Sequence, residues 1–167
     1  MRITQLLPAL ALALPAVAVS QRAAQQPAKT PQSLLDQIRA NVAKVTDAPE
    51  KERWQGNIDL WQTKLARTDK LAAADIDKMN ASLKTIRANV AKVTEPAEKA
   101  RWTANADLWT AFLALKDTPA KTEIDHMNGL VAAITSNVAK VTAADEKERW
   151  MANRDLWKTT IDKLGKP

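Results

Sequence analysis

The sequence predicts an all-α protein of three tandem αα-hairpins, six helices in all, forming a helical bundle or a short α-solenoid. Three observations predict it. A block reading NVAKVT and then EK-x-RW-x-x-N-x-DLW spans 41–61 and returns at 89–109 and 137–157, shifted by 48 residues each time. Ahead of each block the apolar residues fall three and four apart, which makes one stripe on an α-helix. Composition agrees: three glycines, no tyrosine and little that reads as a strand.

The chain opens with a basic Arg2 and an apolar run from Leu6 to Val19 broken by Pro8 and Pro15. Small residues follow, so Ala16-Val17-Ala18 or Ala18-Val19-Ser20 would serve as a cleavage tripeptide. Residues 1–20 therefore read as a secretory signal peptide, since a run of about 14 residues is short of the ~20 that span a bilayer. Residues 21–31 (QRAAQQPAKTP) are polar, proline-punctuated and aperiodic, as a flexible linker is. The helical repeat domain is 32–167, with repeats at about 31–67, 70–116 and 119–164. No cysteine is present, so no disulfide and no lipid-modified cysteine is expected. The expected location is periplasmic or secreted, with no stable membrane insertion after cleavage.

In the second repeat the apolar stripe is Ile76, Met79, Leu83, Ile86, Val90 and Val93. The third copies it as Ile124, Met127, Val131, Ile134, Val138 and Val141, and the first keeps Leu35, Ile38, Val42 and Val45. Thr30-Pro31 and Thr118-Pro119 put Thr at an N-cap and Pro at N1, and Thr68 or Asp69 would cap the middle copy. After a short connection a second helix begins, with Pro49 or Pro96 in the first turn and Glu50, Glu98 or Glu146 where the helix dipole favours negative charge. Connections this short make each pair antiparallel. The predicted helices lie near 31–45, 49–67, 70–93, 96–116, 119–141 and 144–164.

At 100° per residue Trp54 and Trp61 share one face of the second helix, with Asn57 between them. Trp102 and Trp109 repeat this around Asn105, and Trp150 and Trp157 around Asn153. Six Trp beside one Phe suit a thin helical core whose other members are small, so the indoles are expected buried in the seam between hairpin partners. A turn centred near residue 49 sets Asn41 opposite Asn57, Lys44 opposite Trp54 and Arg39 opposite Asp59. The same register pairs Asn89 with Asn105, Asn137 with Asn153 and Arg87 with Asp107.

Catalytic chemistry is not legible. The single histidine, His126, has Lys78 as its counterpart, and no metal-ligand spacing, phosphate loop or nucleophile motif occurs. No catalytic, metal or cofactor residues are assigned. Beyond the leader 24 basic residues face 19 acidic ones, a net charge of about +5. That mixed surface lacks the basic stripe of a nucleic-acid binder, and no nucleic-acid partner is expected. Basic residues that recur without a core role are the candidate binding set: Lys51 and Arg53, Lys99 and Arg101, Lys147 and Arg149. Their arginines are expected free at the rim. The leading functional expectation is a non-enzymatic adaptor or structural spacer of the cell envelope with a protein partner. The alternative is a binder of anionic or saccharide envelope polymers through the repeated tips.

Overall fold

Six α-helices dominate residues 29–67 and 70–166, the part of the chain that the computed structural model describes. They are α1 (Pro31–Val42), α2 (Ala48–Leu65), α3 (Ala73–Val90), α4 (Pro96–Ala114), α5 (Lys121–Val138) and α6 (Ala144–Leu164). The leader, most of the linker, and the Thr68 and Asp69 considered as caps lie outside the described residues. Among the described residues no helix is long and apolar enough to cross a membrane.

Side-chain acceptors mark four of the six helix starts, and α3 and α6 begin without one. Thr30 Oγ1 accepts from the Ser33 N–H at 3.1 Å, and Asp47 Oδ1 accepts from the Glu50 N–H at 2.7 Å. Glu95 caps α4 by accepting from the backbone N–H groups of Ala97 and Glu98, and these bonds hold its carboxyl below the ordinary value. Thr118 is not a cap, contrary to expectation. α5 starts at Lys121, where the Glu123 carboxylate accepts from the Ala120 N–H at 2.7 Å. α3 starts at the equivalent Ala73 without any side-chain cap, so the repeat itself places this start and Glu123 adds to it.

The first helix of each hairpin ends three residues earlier than the apolar stripe implies. Its last turn tightens to i→i−3 bonding, as in Val45 N–H to Val42 O at 3.0 Å. Val45, Val93 and Val141 nevertheless stay buried, because the tightened turn keeps them on the core side. Tips (the α1–α2, α3–α4 and α5–α6 turns) thus gather at one end of the bundle. The opposite end, called the base below, carries the α2–α3 and α4–α5 connections and the end of α6.

Helix pairing departs from simple hairpins. α2 packs most extensively on α3, α4 on α5, and α6 on α1, while the α1–α2 and α3–α4 faces are smaller. Each repeat therefore leans on the next, and the α1–α6 contact joins the third repeat to the first. The result is a closed bundle rather than an open solenoid. Helices α1, α3 and α5 supply the aliphatic stripe, with Ile38, Ile86 and Ile134 fully buried, and α2, α4 and α6 supply the indoles.

Candidate functional site

The recurrent residues converge on the centre of the bundle in a cyclic, approximately threefold arrangement. All six Trp are buried, at 0–1% exposure, as the sequence predicts. Their place differs from the hairpin seam. Trp54, Trp102 and Trp150 meet edge-to-face in one triad, every pair of centroids 4.8 Å apart. Trp61, Trp109 and Trp157 form a second triad at 4.5–4.7 Å. Seven residues of helix separate the triads by about 10 Å along the bundle. Indole quadrupoles favour this edge-to-face geometry, which adds about 0.5–1.5 kcal/mol per pair beyond area burial.

Between the triads sits a ring of three asparagines. Asn57 Nδ2 donates to Asn153 Oδ1 (3.0 Å), Asn153 Nδ2 to Asn105 Oδ1 (2.9 Å), and Asn105 Nδ2 to Asn57 Oδ1 (3.0 Å). Each Oδ1 also accepts an indole N–H: Trp61 on Asn153, Trp109 on Asn57 and Trp157 on Asn105, at 2.8–2.9 Å. Both lone pairs of every amide oxygen are thereby used, which satisfies groups whose burial is otherwise costly. The expected pairing of Asn57 with Asn41 is overturned, as are its two copies. Identical residues on three identical faces meet one another around the bundle centre, and the outer asparagines go elsewhere. Asn41 donates to Glu148 (3.2 Å) and Asn89 to Glu52 (2.8 Å). Asn137 lacks this partner because the corresponding residue is Ala100, and it donates to the Ala133 carbonyl instead.

The arginines also turn inward. Arg53 is 5%, Arg101 4% and Arg149 5% exposed, so the expected free guanidiniums are not found. Arg53 bonds Glu98 at 2.5 Å, Arg101 bonds Glu146 and Arg149 bonds Glu50, both at 2.6 Å, closing a second cycle. Each guanidinium also lies 5.6–5.7 Å from the next repeat's indole, Arg53 over Trp102, Arg101 over Trp150 and Arg149 over Trp54. Planar, weakly hydrated guanidinium suits a site that asks for both a carboxylate and a ring face. Arg149 thus takes the contact with Trp54 expected of Lys44, which instead bonds Asn41 and Asp145. Burial pushes the Glu146 carboxyl above its ordinary value even though Arg101 draws it down.

Of the candidate binding set, Lys51, Lys99 and Lys147 remain exposed at the tips. Acidic side chains dilute them: segments 44–53, 92–101 and 140–149 together hold nine basic and eight acidic residues. Arg87 does pair with Asp107 at 2.8 Å, as expected, but Arg39 bonds Asp36 in its own helix. His126 is exposed in a groove of about 480 Å³ between α4 and α5 with Asp107 and Glu123. A groove of about 400 Å³ at the α2–α3 junction holds Asp59, Asp75 and Lys78, each 48 positions earlier. The two grooves thus occupy the same place in successive repeats. Among the described residues no group of three or more His, Cys, Asp or Glu is arranged to hold a metal ion.

Fold and centre together define a class: a closed three-hairpin bundle whose repeated polar and aromatic residues join one repeat to the next. Comparison of the chain with protein-family models, curated proteins and solved structures finds no match.

Proposed function

We propose that the protein is an exported, non-enzymatic adaptor or structural spacer of the cell envelope that acts through protein contacts on a rigid body. One observation carries the reading. The chemistry-bearing residues common to all three copies, Arg, Trp and Asn, are engaged with each other inside the bundle. What the repetition preserves is therefore closure and rigidity, which position a partner without reacting with it. Polymer binding at the tips is less well supported, because its arginines and indoles are buried and the remaining lysines sit in a nearly neutral surface.

A photo-crosslinking residue placed in the producing cell tests this, at the tips (Thr46, Thr94, Thr142, with Lys51, Lys99 and Lys147 left in place) and on the outer helices (Ala40, Ala88, Ser136), all exposed. The expected result is discrete protein adducts that survive changing all three lysines to Gln. Polydisperse polymer adducts at the tips, lost in the triple variant, would overturn it in favour of the polymer reading. Cell fractionation with N-terminal sequencing tests export: the mature chain is expected to begin between residues 19 and 21, outside the cytoplasm.

A further inference from the structure

The threefold pattern separates what the bundle requires from what it does not, and the base is where the copies diverge. Phe112, the single phenylalanine, occupies a position held by Lys64 and Thr160 in the other copies. Its ring abuts the lower triad, 5.9 Å from Trp109 and 6.3 Å from Trp157. Above it opens a pit of about 310 Å³, floored by Phe112 with Leu71, Ile76 and Leu164. Three lysines, Lys64, Lys70 and Lys116, stand on its wall with a single carboxylate, Asp117. That carboxylate is taken by Lys70 at 2.6 Å, an exposed pair linking the α2–α3 and α4–α5 connections across the rim.

Lys64 is the informative residue. Its Nζ lies 5.6 Å from the Phe112 centroid, and among the described residues neither Lys64 nor Lys116 has a carboxylate partner. Burial first, and the charge of Lys163 second, lower the Lys64 pKa, so its charged form is less favoured there than on a free lysine. An anion supplied from outside would relieve both effects. Apolar residues and lysines lining one pit ask for one molecule carrying both characters, and this volume lies at the small end of ligand sites.

We propose that the pit binds a free fatty acid, its carboxylate between Lys64 and Lys116 and its acyl chain over Phe112. Decanoate, kept below its critical micelle concentration, is the probe, titrated calorimetrically into the full chain at pH 8. Saturable one-to-one binding is expected, with decanol and decyltrimethylammonium at least 10-fold weaker. Lys64→Met should weaken decanoate at least 10-fold and leave decanol unchanged, and Leu71→Trp should weaken both by filling the pit. Circular dichroism verifies the fold of each variant. If Lys64→Met fails to fold, the wild-type preference for decanoate and the Leu71→Trp loss decide the matter. Equal binding of the cationic amphiphile, no effect of either folded variant, or binding of anionic vesicles without binding of monomeric decanoate would each overturn the proposal.

Discussion

Removing one amide from the asparagine ring tests the centre of the bundle most directly. In Asn105→Ala three bonds disappear: Asn105 to Asn57, Asn153 to Asn105, and Trp157 to Asn105. Asn57 Oδ1 still accepts from Trp109, so its loss is partial. Two donors, Trp157 Nε1–H and Asn153 Nδ2–H, are left where no water reaches, since both residues are fully buried. At about 1–3 kcal/mol for each orphaned buried donor, the loss is about 2–6 kcal/mol, a large share of a domain's usual stability. Urea unfolding followed by far-ultraviolet circular dichroism measures it, with the slope expected unchanged. A loss below about 1 kcal/mol would refute the idea that the ring is formed and dry. Asn105→Asp adds a sign. The oxygen facing Asn57 Oδ1 must carry a proton to restore that bond, so burial and this contact raise the folded-state pKa. Its stabilisation is present below the unfolded carboxyl pKa and is lost as pH rises through the folded one. The variant should therefore gain stability relative to wild type on acidification, and a loss instead would sink the argument.

Further outcomes follow from the same geometry. Trp102→Ala should cost about 3–5 kcal/mol, the usual loss for a large buried aromatic, and a shift under about 2 in chemical denaturation would contradict the triad. Ala100→Glu should supply the partner that Asn137 lacks and stabilise by about 0.5–1.5 kcal/mol in the same denaturation assay. No gain there would mean that Asn137 keeps its bond to the Ala133 carbonyl. Glu146 has a raised folded pKa, so the stability it contributes is present in acid and fades as pH rises through that value. Wild type should accordingly gain on Glu146→Gln as pH falls toward 4.5, measured by paired denaturation curves, and a difference moving the other way would show that Arg101 outweighs desolvation.

The six helices were legible because each stripe repeats a 3.6-residue period, and burial of the Trp followed from their shared face. What the 48-residue period alone did not reveal was which faces meet. Reading each hairpin as a closed unit set Asn41 against Asn57, although the larger contacts run from each second helix to a helix of another repeat. A signal for the true arrangement was present. Trp54, Asn57 and Trp61 recur on the same helical stripe in three copies, and like faces in a ring of three meet at its centre. The arginines misled for a related reason. On an isolated helix Arg53 stands at the edge of the Trp stripe, and only the neighbouring repeat supplies Glu98 and Trp102 to cover it. The base pit was not readable at all, since it depends on Phe112 and Lys64 being brought together from α4 and α2.

Cyclic contacts of this kind equip even a single hairpin for assembly. Each repeat carries both halves of the junction: an Arg that reaches forward to the next copy's Glu and an Asn that reaches back to the previous copy's amide. A heterologous junction whose rotation closes generates a ring, with or without covalent links between the units. A peptide of one hairpin alone can thus form a homotrimer, and its melting temperature would then rise with peptide concentration. In the intact chain the two connections at the base hold the three units at high effective concentration, so folding no longer depends on encounter between molecules.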